Sequence, residues 1–272
     1  MPHAQATAGL SPAGLSPAGP LLTEVRGAVM SVGLNRPHKR NALDDATVLA
    51  LEACFSAVPE GVRVAVLHGL GEHFSAGLDL SELCERNAAE GMLHSRMWHR
   101  VFDRIQFGPV PVVAVLKGAV IGGGLELASA CHIRVAEQGA FYALPEGQRG
   151  IFVGGGGSMR LPRLIGVARM ADMMLTGRTY SAEEGLAIGL AQYLVEPGAG
   201  LDKALELAGR IAGNAPMTNF AVVQALPRIA ESDPQAGLMM ESLMAAIAQS
   251  DQEAKNRIQD FLAKRAAKVK PG

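Results

Sequence analysis

Residues 117–136 read KGAVIGGGLELASACHIRVA, and the interpretation of the whole chain depends on this stretch. Three glycines, Gly122 to Gly124, follow a short β-branched segment and open a helix-compatible one. The first N–H groups of a helix have no acceptor within it, and the helix dipole there favours negative charge. Glycines would let a substrate oxygen approach those N–H groups. The stretch therefore predicts an oxyanion hole or, more simply, close packing of a helix on a strand.

Nucleotide-binding motifs also place glycines between a strand and a helix, but they do not fit here. A dinucleotide fingerprint that starts at the first glycine of the triplet would need glycine at position 127, which is Leu127. A phosphate loop from Gly118 would need lysine at position 124, which is Gly124. The nucleophile elbow of serine hydrolases fits poorly, because His73 replaces its first glycine.

Composition excludes several broad classes of protein. The 272 residues include 25 Lys+Arg and 26 Asp+Glu, so no strongly basic surface for nucleic acid is predicted. The longest apolar run covers residues 107–116, about half of the roughly 20 residues that a membrane-spanning helix needs. The cysteines, Cys54, Cys84 and Cys131, form no metal-binding or redox pair. We therefore expect a cytoplasmic protein in a reducing compartment, with no metal site, no nucleic-acid partner and no membrane attachment.

The chain divides into three regions. Residues 1–20 are rich in Ala, Pro and Gly and lack the pattern of a secretory signal, so a disordered tail is predicted. Residues 21–200 alternate strand-like and helix-like pieces, which is typical of an α/β domain with parallel pairing. Residues 201–272 form a C-terminal helical region that must pack on the α/β core or on another subunit. Its predicted helices cover 201–213, 217–230, 235–249 and 251–267.

Hydrophobic patterns predict individual elements of the α/β region. Runs of β-branched residues that are apolar on successive positions should form strands with both faces buried. Val48, Leu51 and Phe55 fall on one face of a helix. Ser181 and Ser250, each followed three residues later by a glutamate, are typical of capping boxes. The predicted strands cover residues 25–34, 62–67, 110–116, 132–137 and 193–195.

Three carboxylates are candidates for chemistry. Glu126 falls in the first turn of the helix after the glycines, where the dipole stabilises negative charge. Glu146 lies in a loop after a strand-like stretch, and Asp79 lies in the segment SAGLDL. Each also has a simpler explanation: a helix-end charge for Glu126, a solvated loop charge for Glu146 and an N-terminal helix cap for Asp79. The residues alone leave these alternatives open.

Four separate blocks together resemble the enoyl-CoA hydratase/isomerase family, the crotonases. They are LNRPHKRNAL at 34–43, HFSAGLDLSEL at 73–83, KGAVIGGGLELASACHIRVA at 117–136 and ALPEGQRGIFVGGGGSMRLPRLIG at 143–166. The order and spacing of four blocks is more specific than any single glycine cluster. The resemblance covers about residues 22 to 267. It implies an α/β fold, the crotonase (ClpP-like) spiral of repeated ββα units, with a C-terminal helical region that builds trimers, often doubled to hexamers.

The resemblance implies an acyl-CoA thioester substrate, and no separate cofactor because CoA is part of that substrate. The thioester oxygen would lie between the backbone N–H groups of Leu78 and Gly123 while it gains negative charge in an enolate-like state. Glu126 matches the family carboxylate that positions and activates water for attack at the β-carbon. Glu146 matches the one that delivers a proton to the α-carbon.

Further positions are assigned to the CoA moiety by the same resemblance. His38, Lys39 and Arg40 match a turn that wraps around the adenine and brings a basic side chain to phosphate. Phe261 and Lys264 match the spacing at which a neighbouring subunit contacts the nucleotide. The other predicted contacts flank the two amides, at Ala76, Asp79, Leu80 and Gly122.

The chain also departs from the usual family pattern. Ser81 replaces a lysine that often helps to bind phosphate, and Tyr142-Ala143-Leu144 replaces a frequent Phe-Gly-Gln. These departures concern acyl-chain preference and CoA affinity and leave the type of reaction unchanged. The residues predicted to line or cover the acyl tunnel, or else to belong to the core, are Met92, Leu93, Trp98 and Phe102.

Retention of both glutamates favours an enoyl-CoA hydratase, which adds water across the 2,3 double bond of trans-2-enoyl-CoA to give 3-hydroxyacyl-CoA. A Δ3,Δ2-enoyl-CoA isomerase of the same fold is the alternative, since such enzymes usually need only one carboxylate near the position of Glu146. A non-catalytic acyl-CoA-binding protein with an inherited pocket is a third possibility. The expected partners are the acyl-CoA substrate and further copies of the chain, in a homotrimer or hexamer.

Overall fold

The computed structural model describes residues 19–82 and 85–263. Most of the predicted tail, at 1–18, the predicted CoA contact Lys264 and the cysteine Cys84 lie outside these residues. Gly19 and Pro20, the last two residues assigned to the tail, both accept hydrogen bonds from Asn35 through their carbonyl groups. The chain is therefore anchored to the core from Gly19 onward.

Nine strands within the described residues form two sheets. The larger sheet has the order β1-β2-β3-β4-β6-β9, and the smaller has the order β5-β7-β8. All neighbouring strands are parallel except the pairs β1–β2 and β7–β8, which confirms the predicted α/β class. The bounds are β1 (Leu21–Arg26), β2 (Val29–Leu34), β3 (Val64–Gly69), β4 (Val112–Leu116), β5 (Ala119–Ile121), β6 (Ile133–Glu137), β7 (Phe141–Ala143), β8 (Tyr180–Ser181) and β9 (Tyr193–Val195).

The prediction of a single strand over residues 25–34 is wrong. The chain reverses between Arg26 and Val29, and β1 pairs antiparallel with β2. Gly27 makes the turn possible with a φ of 58°, a conformation that costs glycine little. Apolar residues on both sides of this one glycine hide the turn in the sequence. The other predicted strands are confirmed, although β3, β4 and β6 begin one or two residues later than expected.

The larger sheet is buried on both faces, as its apolar pattern predicted. Ala65 and Leu67 of β3 point into the main core, which the helices before residue 177 and the smaller sheet complete. Val64 and Val66 point to the opposite face, because successive side chains of a strand alternate. That face packs against Ala204 and Leu207 of a C-terminal helix. Parallel sheets generally need such cover on both sides.

Eleven α-helices fall within the described residues. The four predicted C-terminal segments are helical as far as the structure describes them, which for the last is up to residue 263. The second contains a π-helical turn at Ala221–Ala225 that separates two short helices. The bounds are α1 (Asp45–Ser56), α2 (Ala88–Gln106), α3 (Gly123–Ala130), α4 (Gly157–Ile165), α5 (Val167–Thr176), α6 (Ala182–Ile188), α7 (Gly200–Ala212), α8 (Pro216–Phe220), α9 (Leu226–Glu231), α10 (Pro234–Ser250) and α11 (Gln252–Leu262).

One of the two predicted capping boxes is confirmed. Ser181 and Glu184 form the reciprocal hydrogen bonds of a capping box at the start of α6. The box expected at Ser250 is wrong, because Ser250 is the last residue of α10. Asp251 caps α11 instead, and its carboxylate accepts the N–H groups of Glu253 and Ala254. No helix of the described residues has the length and apolarity needed to cross a membrane.

Leu67→Ala should destabilise the protein by about 2–5 kcal/mol, because the Leu67 side chain is fully buried in the main core and its removal leaves a cavity. Leu49→Ala is the matched control, since Leu49 is 45% exposed on α1, and it should change the free energy of unfolding by no more than about 0.5 kcal/mol. Urea denaturation of both variants measures this difference. Equal losses of stability would contradict the assigned core.

Candidate active site

Two backbone N–H groups converge at the start of α3. Leu78 pairs with Leu43, and the bonds from Leu43 N to Gly77 O and from Asp79 N to Leu43 O leave the Leu78 N–H pointing away from that pairing. Gly123 is the first residue of α3, so its N–H has no acceptor in the helix. Within the described residues neither N–H donates to a protein acceptor. Two free donors are thus available to one ligand oxygen.

Glycines allow the two loops to come this close. A Cβ on Gly123 would lie 3.5 Å from the backbone N of Leu78, and one on Gly77 would lie 3.2 Å from the backbone N of Gly123. A Cβ on Gly124 would lie 2.6 Å from the carbonyl oxygen of Ser75. The two interpretations of the glycine triplet are therefore compatible, since Gly124 permits close packing while Gly123 presents its amide.

Glu126 is a buried carboxylate held by backbone amides. It is 3% exposed, and its Oε1 accepts the N–H groups of Gly155 and Gly157 at 2.8 Å each. Burial raises the pKa of Glu126, and the two amides oppose that effect. A Cβ on Gly157 would lie 2.7 Å from Cγ of Glu126, so this position leaves no room for a side chain. The bonds to Oε1 leave the other oxygen, Oε2, for a water molecule.

Arg160 supports the loop that holds Glu126, a role that sequence reasoning missed. Its guanidinium donates to the carbonyl oxygen of Gly155 at 2.9 Å, to Asp103 at 2.7 Å and to Gln106 at 2.6 Å. Arg160 lies on α4 and is buried despite its charge. Only its position three residues after a glycine run hinted at this, and such spacing is common.

Glu146 approaches the same place from the opposite loop. It precedes a 3-10 turn at Gly147–Arg149 and is 8% exposed. A Cβ on Gly122 would lie 2.6 Å from Oε1 of Glu146, so only glycine fits beneath this carboxyl group. Its Oε2 is buried without a hydrogen-bond partner within the described residues. Burial raises the pKa of Glu146, and the charge of Glu126 raises it further.

The two amides and the two carboxylates line one cavity of about 370 Å³. The predicted chemistry is therefore brought together in a single place. Trp98 lines the cavity as expected, whereas Phe102 belongs to the core and Met92 and Leu93 are exposed outside it. Sequence reasoning missed a second apolar wall, formed by Ile151, Phe152 and Val153. Three consecutive hydrophobic residues shortly after Glu146 were the signal available in the sequence.

The residues assigned to CoA lie outside this cavity, and their role stays a prediction. His38, Lys39 and Arg40 are exposed on the 3-10 turn after Arg36, which leaves them accessible to a ligand. Ala76 is linked to this turn, because its N–H donates to the carbonyl oxygen of Arg40. Leu80 is 44% exposed beside them, and Phe261 is 71% exposed on α11.

Asp79 holds the two loops of this region together. Its carboxylate accepts the N–H and hydroxyl of Ser81, pairs with Arg36 at 2.8 Å and lies 3.5 Å from Nζ of Lys39. The bonds from Ser81, followed by that from Arg36, hold the pKa of Asp79 well below its usual range. The predicted capping role thus applies to the short 3-10 turn at Leu80–Glu82.

An α/β fold with paired backbone donors and two buried acids in one cavity defines an enzyme that acts on an activated carbonyl compound. The sequence profile of the enoyl-CoA hydratase/isomerase family matches residues 24–271, and the chain belongs to this family. The chain is 36% identical to a short-chain-enoyl-CoA hydratase of Clostridium acetobutylicum over 76% of its own length and 81% of that protein.

Other relatives agree. A 2,3-dehydroadipyl-CoA hydratase of Escherichia coli is 34% identical over 75% of this chain and 80% of its own length. A crystal structure from Rhodopseudomonas palustris, provisionally assigned as an enoyl-CoA hydratase, is 66% identical with a TM-score of 0.89. It covers 94% of this chain and 100% of that one. The predicted crotonase fold is therefore confirmed.

Glu126→Gln should lower the pKa of Glu146, because it removes a negative charge that now disfavours ionisation of the neighbouring carboxyl group. Carbon-13 NMR titration of glutamate-labelled protein measures this shift, with the carboxyl signal of Glu146 assigned by its loss in Glu146→Gln. An unchanged titration of Glu146 would show that the two acids are not electrostatically coupled.

Proposed function

We propose that the protein is an enoyl-CoA hydratase that adds water across the 2,3 double bond of trans-2-enoyl-CoA to give 3-hydroxyacyl-CoA. The observation that carries this proposal is the presence of Glu126 and Glu146 in one cavity with the free N–H groups of Leu78 and Gly123. Addition of water to an alkene requires a group that takes a proton and a group that gives one. Two acids beside one pair of amides meet that need.

The amides would stabilise the charge that develops during addition. As the oxygen of water bonds to the β-carbon, the electrons of the double bond move through the α-carbon to the thioester oxygen. Leu78 N–H and Gly123 N–H would donate to that oxygen, and they bind it more strongly once it is negative. Because both donors belong to the backbone, their positions need no rearrangement during the reaction.

The two carboxyl groups differ in their surroundings, which fits different roles. Glu126 receives two amide hydrogen bonds that favour its ionised form, so it would remove a proton from the attacking water. Glu146 has a buried oxygen without a partner and a pKa raised by burial, so it would carry the proton that is transferred to the α-carbon. Transfer of one proton from Glu126 to Glu146 then restores the starting state.

Glu126→Gln and Glu146→Gln should each lower kcat for crotonyl-CoA at least about 100-fold, since general acid–base catalysis contributes typically 10²–10⁴ in rate. Glu60→Gln is the control, because Glu60 is exposed and does not line the cavity, and the activity of this variant should equal that of the wild type. The assay follows loss of the ultraviolet absorbance of the conjugated thioester, with circular dichroism to show that each variant is folded. Full activity of either folded catalytic variant would contradict its assigned role.

The same assay separates the two other candidate functions. An isomerase would convert 3-enoyl-CoA faster than it hydrates 2-enoyl-CoA, and would keep that activity in Glu126→Gln. A non-catalytic protein would bind acyl-CoA without turnover in the wild type. The four amide and carboxyl groups in one cavity favour hydration over both.

We further propose that the chain forms a homotrimer or a dimer of trimers through its C-terminal helices. These helices expose more apolar side chains than a monomer can easily keep in water. Leu238 and Met239 of α10 are 58% and 63% exposed, and Leu243 is 56% exposed on the same helix. Phe220 and Leu226, on the neighbouring α8 and α9, are similarly exposed.

Leu243→Asp should reduce the molar mass measured by light scattering after size-exclusion chromatography, because a charge would be buried at the proposed interface. Leu175→Asp is the control, since Leu175 is 84% exposed on α5, outside the C-terminal region. It should leave the molar mass unchanged. A monomeric wild type, or the same oligomer in Leu243→Asp, would contradict the proposal.

The cytoplasm is the proposed compartment. Cys54 and Cys131 are unpaired thiols in the structure, and burial raises the pKa of Cys131 to about 12. Free cysteines of this kind are typical of proteins in a reducing environment.

CoA would enter as part of the substrate, without a separate cofactor, and the exposed turn of His38, Lys39 and Arg40 would contact it.

A further inference from the structure

The cavity that holds the two acids continues along helix α2. Gly91, Ser95 and Trp98 all line it, and their spacing of four and three residues places them on one face of the helix. Trp98 marks the reacting end, because a Cβ on Gly123 would lie 2.8 Å from its ring. One side of the cavity is thus a helix that leads away from the oxyanion site.

Arg86 lines the far end of this cavity and has no part in the proposed reaction. It comes directly before Asn87, the N-cap of α2, so about 16 Å of helix separates the cap from Trp98. Its side chain is half-buried. Among the residues that line the cavity in the described part of the chain, Arg86 is the only arginine or lysine.

The acidic residues Glu90, Asp45 and Glu85 do not pair with Arg86. Glu90 closes the capping box of α2 by accepting the N–H of Asn87. Oδ1 of Asp45 lies 2.7 Å from Nε2 of His94, which itself lines the cavity. Glu85 is exposed and does not line the cavity. Among the side chains that the structure describes, no carboxylate forms an ion pair with Arg86.

An arginine in this position is costly unless an anion binds to it. A guanidinium group stays charged at any ordinary pH, and partial burial removes part of its hydration. Another part of the lining is apolar, with Ile151, Phe152 and Val153, and it meets α2 where the Ser95 hydroxyl donates to the carbonyl oxygen of Gly154 at 2.7 Å. A hydrocarbon tail alone would bury Arg86 further without a partner, whereas a terminal carboxylate could bind it through two parallel hydrogen bonds.

The position of the cavity distinguishes this anion from the phosphates of CoA. The residues assigned to CoA, at 38–40 and 79–80, do not line the cavity that contains Arg86. The thioester would lie at the amides of Leu78 and Gly123, so a ligand that reaches Arg86 through the cavity does so with its acyl chain.

Building on the proposed hydratase function, we propose that Arg86 binds a carboxylate at the far end of the acyl chain. The preferred substrates are then 2-enoyl-CoA thioesters of dicarboxylic acids. The apolar wall would hold the intervening methylene groups, and Arg86 would select chains whose carboxylate reaches the start of α2. Arg86 is thus a specificity-determining residue and not a catalytic one.

The test compares matched pairs of trans-2-enoyl-CoA, with and without a terminal carboxylate, over a series of chain lengths. The wild type should hydrate the carboxylate member of at least one pair with the higher kcat/KM. Arg86→Gln should lower kcat/KM for that carboxylate substrate about 30-fold, which is the low end of the loss expected when one partner of a charge pair is removed. It should change kcat/KM for the neutral member of the pair by no more than about twofold. Arg86→Lys should recover part of the loss, because it keeps the charge but not the two-pronged geometry.

Arg100→Gln is the matched control on the same helix. Arg100 is exposed, pairs with Glu52 and does not line the cavity, so neither substrate should be affected. Dissociation constants for saturated acyl-CoA analogues with and without the carboxylate, measured by calorimetry, provide a second readout that needs no turnover. Arg86→Gln should weaken only the carboxylate analogue.

The outcomes separate this proposal from the proposed function. Hydration without any preference for a carboxylate at any chain length would overturn the role of Arg86 and leave the hydratase proposal intact. Equal losses for both members of a pair in Arg86→Gln would assign the guanidinium to CoA and overturn the proposal as well. Carboxylate-selective binding without hydration would instead support the role of Arg86 and contradict the hydratase function.

Discussion

The close approach of two backbone segments is the constraint on which the site depends. The Gly77–Leu78 turn and the first residue of α3 are so near that a Cβ on Gly123 would lie 3.5 Å from the Leu78 amide nitrogen. Two N–H groups can donate to one oxygen atom only when the segments that carry them lie this close together. Any side chain on Gly123 would collide with Trp98. The absence of a side chain at Gly123 therefore permits both the contact with the Leu78 loop and the packing of the start of α3 against Trp98 in the cavity wall.

Burial of two like charges in one cavity opposes this arrangement, and the fold limits its cost. Glu126 loses its hydration but accepts two amide hydrogen bonds from a glycine loop, and Arg160 donates a hydrogen bond to a carbonyl oxygen of the same loop. Glu146 receives no such compensation at its buried oxygen, so its protonated form is favoured. The difference in environment, more than the residue type, supports the separate tasks that we propose for the two glutamates.

The same helix connects chemistry with the selection of substrate. α2 contacts the oxyanion site through Trp98 and begins beside Arg86, so one rigid element sets the distance between the thioester and the far end of the acyl chain. A capping box fixes where that helix begins. Specificity in such a site follows from the length of the helix and the charge at its start, while the reacting groups remain unchanged.

The sequence by itself determined the α/β class and the buried strands, because apolar periodicity is a local property of the chain. The four groups proposed to react were identified through the resemblance of four sequence blocks to the crotonase family, since the residues alone left their roles open. The sequence did not reveal the hairpin at Gly27. It indicated strand-like stretches before Gly122 and before Glu146, but not that they pair as β5 and β7 in a separate small sheet. Only the tertiary structure decided that Glu126 and Glu146, twenty residues apart, share a cavity. It also decided that Asp79 forms an ion pair with Arg36, that Arg160 binds the loop beside Glu126, and that Arg86 lines the same cavity. These are contacts between distant segments, and burial and pairing of a charge depend on what the fold places around it.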